Sequence, residues 1–429
     1  MASYSETLER IYNLHGGAID LRLDRVAGAL ALFDHPERKF PSFHIAGTNG
    51  KGSTAAILQR ILSLAGYRAA LYTSPHLVSF TERIKIDDQE IAEAEVVAIA
   101  EEIWWRTAAA DIGLTYFEVV TVMAFIYFAR HPTDVAVIEV GLGGRFDATN
   151  VITPLIALIM TISQDHEAFL GKDLLSIAGE KAGIIKPGVP VVCGGVSADV
   201  HELFRQTSAE RGAKVYFFGE DFNFFLKNEG YFDYTGLKQY YSNLSLRLRG
   251  RHQRHNAAVA LAALEIVQDR FPVTEASIRA GLATVQWPGR LEVMLERPTV
   301  VIDGAHNGEG VLALVQELKV YRGRKIKLLF AVMSDKDWRL MLARLIEVVS
   351  QVTFTKVAME RSADPAELAR NFAGQVASRS HADARAALRV LIDESAPDDV
   401  IVVAGSLYLL GEIRPMLQEI AAARPELGD

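Results

Sequence analysis

Cysteine is nearly missing from the 429-residue chain: Cys193 stands alone, so no intrachain disulfide can form. Also missing is any uninterrupted apolar run of about 18 residues, the length a membrane-crossing helix needs. No basic segment leads into an apolar stretch in the manner of a secretory leader. Positive charge is in deficit, with 45 Lys and Arg against 53 Asp and Glu, a formal charge of −8. That balance excludes a broad basic footprint for nucleic acid but leaves room for a small basic pocket. No fixed-period repeat or low-complexity tract occurs, which removes solenoids and flexible spacers. The expectation is a soluble, cytoplasmic, monomeric protein with neither a nucleic-acid nor a membrane partner. Half the residues are apolar and 23% are charged, the composition of a globular chain. At about 150 residues per domain, the length allows two or three.

What is present is an alternation of strand and helix. Short apolar runs bounded by Gly, Pro or polar clusters read as buried strands at 43–46, 69–72, 135–140, 156–162 and 189–193. A helical pattern from Ser53 to Leu64, closed by Gly66, lies between the first two. Such alternation predicts βαβ units and a largely parallel sheet. Between Lys214 and Arg249, eleven Phe and Tyr residues crowd around Asn and Gly. This segment predicts a small antiparallel meander appended to the sheet; a base-stacking platform would need denser Lys and Arg. Trp287-Pro288-Gly289-Arg290 then breaks the pattern, and new strands follow at 300–302, 327–332, 352–355 and 400–403. The predicted architecture is α/β: a large P-loop-type, mostly parallel domain over 1–286, a linker at 287–290, and a smaller Rossmann-like domain over 291–429.

Phe43-His44-Ile45-Ala46-Gly47-Thr48-Asn49-Gly50-Lys51-Gly52-Ser53-Thr54 reads as strand, glycine loop and helix. Glycines let backbone N–H groups turn toward a phosphate chain, the helix start adds partial positive charge, Lys51 supplies a point charge and a hydroxyl can reach a metal. Compared with the general phosphate loop, the first glycine is two residues closer to Gly50-Lys51, and Ser53 stands two places after Lys51 rather than one. Nucleoside triphosphate binding by Thr48, Asn49, Gly50, Lys51, Gly52 and Ser53 is the expectation.

Other polar residues stand at strand ends, where ligands of open α/β sheets bind. Glu139 ends the apolar run 135–140 and precedes Gly141-Leu142-Gly143-Gly144-Arg145-Phe146-Asp147. A buried glutamate is costly unless paired or metal-bound, so Glu139 reads as a Mg²⁺ ligand or as a salt-bridged strand end. Phe146 occupies the third glycine position of a dinucleotide fingerprint and rules that motif out. Ser74, in Thr73-Ser74-Pro75-His76, can complete a Mg²⁺ shell or simply make a turn. Asp165-His166 offers a carboxylate and an imidazole, Lys181 lies near a helix end, and Asp303 ends the strand 300–302. Cap, turn, linker, loop and core roles remain open for Asn256, Asp303, Arg290, His306, Phe117 and Asp147.

From the short loop Gly47 to Ser53 onward the sequence resembles the folylpolyglutamate synthase and dihydrofolate synthase family of the Mur ligase superfamily, over roughly Gly17 to Gly411. The resemblance implies ATP and two Mg²⁺ ions, the first held by Ser74 and Glu139, the second by His166 and bridged through Glu139. It implies that Lys181 is carbamylated, that Asn256 contacts adenine and Asp303 the ribose, and that Arg290 and His306 approach the phosphates. Lys51, Lys181 and His306 are the implied catalytic residues, with ATP clamped between two domains that close. A pteroate-type substrate is implied near Thr115, Phe117, Asp147 and Ala148, with Gly17 to Leu21 a further candidate for the pterin site. The implied reaction is formation of an acyl phosphate from ATP and its displacement by the amine of L-glutamate, with dihydropteroate or reduced folates as acceptors. No Cys or Ser nucleophile beside a base and orienter is visible, which suits a substrate carboxylate as phosphoryl acceptor. Rival readings are a synthase that only extends folates, another Mur-type amino acid ligase and a regulatory nucleotide-binding module. Peptidoglycan precursor ligases carry a further domain before the phosphate loop, whereas Lys51 has fifty residues ahead of it. A bifunctional enzyme of the bacterial type is the favoured expectation.

Overall fold

The computed structural model describes residues 2–16, 23–163, 173–227 and 230–423. The chain divides into two compact units, one of residues 1–247 and 253–286, the other of residues 248–252 and 287–429. Among the described residues, no helix is long and apolar enough to cross a membrane.

In the first unit, strands β1 (Ser42–Ala46), β2 (Ala69–Tyr72), β3 (Ile84–Ile86), β4 (Gln89–Glu90), β5 (Val135–Glu139), β6 (Ile156–Ile159), β7 (Val191–Cys193) and β8 (Val215–Phe217) build one sheet in the order β4-β3-β2-β5-β1-β6-β7-β8. Strands β2, β5, β1, β6, β7 and β8 run parallel, and β3 and β4 extend one edge antiparallel. Every residue of β1, β2, β5, β6 and β7 is buried, as continuous apolar runs covered by helices on both faces require. One core forms around helix Tyr116–Arg130, where Phe40 meets Phe128 edge-on with ring centres 5.7 Å apart. A second core on Ala46, Val140, Ile159 and Cys193 receives helices Leu174–Ala182 and Ala198–Glu210.

The aromatic segment resolves into two fates. Val215–Phe217 joins the main sheet as β8, while β9 (Asn223–Leu226), β10 (Phe232–Thr235) and β11 (Tyr240–Leu244) form a separate antiparallel sheet rather than an extension of the main one. Phe222, Phe232 and Tyr234 are buried, and the Tyr234 hydroxyl donates to Glu265 Oε1 at 2.6 Å, tying this sheet to helix Arg251–Ile266.

The second unit holds β12 (Glu292–Glu296), β13 (Thr299–Ile302), β14 (Ile326–Phe330), β15 (Gln351–Phe354), β16 (Ala377–Ser380) and β17 (Val400–Ala404) in the order β12-β13-β17-β14-β15-β16. Only β12 is antiparallel. The parallel order brings the carboxyl ends of β13, β17 and β14 to one rim, where Asp303 and Gly405 follow the strands.

Candidate active site

The loop after β1 has a backbone that only glycine fits at two points. Gly47 has φ of 145° and a side chain there would begin 2.6 Å from Met160 Cβ; Gly50, the cap of helix Lys51–Leu64, has φ of 89° and would meet Asn256 Oδ1 at 2.5 Å. The loop is tied to the end of β6. Thr48 N–H donates to the Thr161 carbonyl at 2.8 Å, and Thr48 Oγ1 both donates to the Ser163 carbonyl and accepts from Ser163 N–H, each at 3.1 Å. Asn49 forms a bridge with Thr161. Lys51 Nζ donates to the carbonyls of Gly47 at 2.9 Å and Thr48 at 3.1 Å. Lys181, 4% exposed, donates to the same Gly47 carbonyl at 3.1 Å. Two ammonium groups therefore converge on one loop oxygen. Gly52 and Ser53 open the helix behind them, with Ser53 buried. Asn256 is buried beside Gly50 and donates to Gln253 Oε1 at 3.0 Å.

Strand β5 adjoins β1 on one side and β2 adjoins β5, and the ends of β2 and β5 carry the next pair. Glu139 is 4% exposed and its Oε2 accepts from Ser74 N–H at 3.1 Å. Glu82 shapes the loop that follows Ser74, its oxygens accepting from the N–H groups of Leu77, Val78 and Ser79 at 2.7 to 2.8 Å. Arg83 Nε donates to His76 Nδ1 at 2.8 Å. Burial, with the Arg83 charge second, pushes the His76 imidazole down to about 4, so it is neutral near pH 7.

Phe117 lies on Gly141, where a side chain would begin 2.4 Å from its ring, and stands 6.2 Å from the Tyr72 ring centre. Thr115 caps helix Tyr116–Arg130 and exchanges hydrogen bonds with Glu118, which also pairs with Arg25 at 3.1 Å. Asp147 is 6% exposed, next to buried Ala148. Its carboxylate accepts from Leu142 N–H at 2.9 Å, Thr149 N–H at 3.0 Å, Thr149 Oγ1 at 2.5 Å and Gly141 N–H. Burial raises the Asp147 carboxyl and these donors oppose the rise. Its oxygens are thus committed to folding the loop from Gly141 to Thr149, so it orders the wall around Phe117.

Behind that loop, the buried His44 Nε2 lies 2.8 Å from Thr149 Oγ1, whose proton goes to Asp147, so Nε2 carries the hydrogen. Burial, then the Lys186 charge, pushes His44 from 6.5 down to about 3. The unfolded chain takes a proton on this imidazole that the folded chain refuses, so His44 destabilises the fold as pH falls from 6.5 toward 3. We expect thermal unfolding midpoints to drop through that window with a slope that His44→Gln reduces, by up to about 1.4 kcal/mol per pH unit. An unchanged slope in differential scanning calorimetry would assign the acid sensitivity to other groups.

Within the second unit, Asp303 is 7% exposed at the end of β13 and accepts from Leu291 N–H at 2.8 Å and Ala305 N–H at 2.9 Å. Burial raises its carboxyl, opposed first by Arg290. Gly304 makes room for Arg290, whose Nη1 lies 2.0 Å from where a side chain would begin, and His306 Nδ1 donates to the Gly304 carbonyl at 2.7 Å. Arg290, Asp303 and His306 therefore form one cluster. Asn307 caps the helix that follows, accepting from Gly310 N–H at 2.8 Å.

His166 and the segment Gly17 to Leu21 lie outside the described residues. Among the described residues no group of three or more His, Cys, Asp or Glu side chains is placed to hold a metal. Glu139 and the Ser74 hydroxyl are hard oxygen donors, a set that fits Mg²⁺, which takes one or two protein ligands and fills its shell with water and phosphate oxygens. Sequence reasoning missed the Thr48–Ser163 tie, the role of Glu82 as loop organiser and the His44–Thr149–Asp147 chain. The local signal for these was slight: hydroxyl residues at Thr161 and Ser163 just past a strand and at Thr149 in the turn before it.

Residues 45–264 match the Mur ligase middle domain, and residues 289–407 match the Mur ligase, glutamate ligase domain. The chain is 34% identical to the dihydrofolate synthase/folylpolyglutamate synthase of Bacillus subtilis, covering 92% of this chain and 95% of that one. Escherichia coli FolC in complex with DHPP and ADP superposes with a TM-score of 0.90 at 32% identity, over 98% of each chain. The bifunctional folylpolyglutamate synthase/dihydrofolate synthase of Yersinia pestis, complexed with AMPPNP and Mn ion, gives 0.89 at 33% identity, over 97% of this chain and 98% of that one. Two Mur ligase domains in sequence, a phosphate loop of the short form and near-complete overlap with these enzymes lead to one conclusion: the chain belongs to the dihydrofolate synthase/folylpolyglutamate synthase family.

Proposed function

We propose that this chain is an ATP-dependent ligase that adds L-glutamate to dihydropteroate and to reduced folates, including those already glutamylated. The observation that carries the reading is the meeting of three neighbouring strand ends: β1 delivers the phosphate loop with Lys51 and Lys181 on the Gly47 carbonyl, β5 delivers Glu139, and β2 delivers Ser74 onto Glu139. A triphosphate cradle beside a buried acid is equipment for phosphoryl transfer. The Escherichia coli and Yersinia pestis structures are complexed with ADP and with AMPPNP and Mn ion respectively, which supports ATP and a divalent cation here.

In this reading residues 1–286 bind ATP, 287–290 link, and 291–429 form the glutamate-ligase domain. The acceptor carboxylate attacks the γ-phosphorus of ATP, the bond to ADP breaks, and an acyl phosphate forms. The glutamate amine then attacks the acyl carbon, phosphate departs and the amine proton is released. Asn49 to Ser53 hold the phosphates through backbone N–H groups, Thr48 anchors this loop through Thr161 and Ser163, and Lys51 neutralises the charge on the transferring group. Asn256, beside Gly50, takes the adenine; Arg290, Asp303 and His306 take ribose and phosphate oxygens. Glu139 and Ser74 would hold one Mg²⁺ and His166 and Lys181, carbamylated, would support a second. Bound there, the ions supply Lewis-acid polarisation of phosphoryl oxygens. Phe117 offers its ring face to a pterin or aminobenzoyl group, flanked by Thr115 and Ala148, while Asp147 fixes the loop that positions it.

Purified protein with ATP, Mg²⁺ and L-glutamate should form glutamylated product, read by mass spectrometry, from dihydropteroate and from tetrahydrofolate assayed separately. Product from tetrahydrofolate alone would reduce the activity to chain extension. No glutamylated product from either acceptor would overturn the reading.

A further inference from the structure

Arg83 is a buried cation that meets no counter-ion among the described residues. It is 6% exposed, its Nε is given to His76 Nδ1 at 2.8 Å, and its guanidinium carbon stands 5.6 Å from the centre of the Tyr116 ring. Among the described residues no carboxylate pairs with it. The adjacent Glu82 gives both oxygens to loop N–H groups, and Glu118, two residues beyond Tyr116, is engaged by Thr115 and Arg25. Among the described residues the Nη1 and Nη2 atoms make no hydrogen bond, and the side chain retains 6% exposure.

Removing a guanidinium from water without an anion is costly, so the fold carries an expense that a bound anion would relieve. With Nε occupied, the two Nη groups form the free edge of the fork, the geometry that meets a carboxylate with two parallel hydrogen bonds. The surroundings select the anion further. Arg83 ends the loop that begins at Ser74, and Tyr116 adjoins Phe117, the proposed aromatic face for the acceptor. A phosphate chain already has Lys51 and Lys181 at its own loop.

We propose that Arg83 docks the carboxylate of the acceptor substrate, the group that is phosphorylated and then amidated, with His76 as the positioning residue that fixes the guanidinium plane. This inference rests on the ligase reading above. Glutamate also carries carboxylates, so the test separates the two sources.

Steady-state constants for acceptor, glutamate and ATP are measured for the full chain and for Arg83→Gln and Arg83→Lys. Calorimetry then compares binding of dihydropteroate with its carboxamide, which lacks the charge. Arg83→Gln should raise the acceptor KM roughly 10- to 100-fold, the size of lost hydrogen bonds to a charged group, and leave the KM for ATP and glutamate within about twofold. Arg83→Lys should recover part of the loss. The wild type should favour carboxylate over carboxamide by a similar factor, and Arg83→Gln should bind both alike. That ratio is read only on folded protein, so a purely structural role would leave it unchanged. Retained discrimination in Arg83→Gln, or a rise confined to the glutamate KM, would overturn the assignment while leaving the ligase reading intact. A wild type that glutamylates neither acceptor would instead remove the ligase reading and this inference with it.

Discussion

Lys51→Ala is expected to lower glutamate-dependent ADP release at least about a thousandfold, the scale associated with a single cation aimed at a transferring phosphoryl group. Lys51 is the first residue of its helix, and its ammonium rests on the carbonyls of Gly47 and Thr48, at the place where loop N–H groups turn outward. In the transition state charge spreads over the phosphoryl oxygens, and a preorganised cation stabilises it without reorganisation cost. Alanine keeps the helix, because its intrinsic preference for that state is at least as high as that of lysine. Thermal unfolding of the variant should therefore stay close to wild type. A folded Lys51→Ala protein with turnover within tenfold of wild type would remove this residue from the chemistry.

Glu139→Gln is expected to cost roughly 100-fold in kcat/KM and to move half-saturation by Mg²⁺ to higher concentration, since loss of one carboxylate ligand weakens a hard-cation site and its Lewis-acid effect. The substitution is nearly isosteric, and the amide oxygen can still accept the Ser74 N–H that Glu139 Oε2 accepts at 3.1 Å. Loop position is thereby preserved and charge alone is removed. Titrating Mg²⁺ against initial rate checks this. An unchanged metal dependence would make Glu139 a strand-end anchor for the Ser74 loop and no more.

The phosphate loop was legible because all its parts are consecutive: strand, glycines, lysine and helix lie between Phe43 and Leu64, and local spacing encodes them. Glu139 was legible because an acid closing an apolar strand has few bland explanations. Lys181 was visible as a residue but not as a partner, since it reaches the Gly47 carbonyl across 134 positions. Asp147 is placed near the substrate by the family resemblance alone, and the bonds its oxygens accept from Leu142, Thr149 and Gly141 within its own loop were not legible. Loop-internal hydrogen bonds leave no periodic trace. Strands β3 and β4 escaped notice because three and two residues are too short to show alternation. β8 was absorbed into the aromatic segment because Val215 to Phe217 has the same composition as the meander that follows.

The sheet order has a consequence for how the protein comes into being. The strand that ends in the phosphate loop pairs with β5 on one side and β6 on the other, so neither neighbour of Ser42–Ala46 exists until the chain has grown past Val135 and Ile156. Pairings between such distant segments form slowly, after the entropy of closing long loops has been overcome. During synthesis, a nascent chain that has already made Gly47 to Lys51 still has no flank on which to rest that loop. The Thr161 and Ser163 ties arrive later still. Nucleotide capture is therefore a late event in the life of each molecule, and protection from proteolysis by a nucleotide would report closure of the central sheet rather than formation of the loop alone.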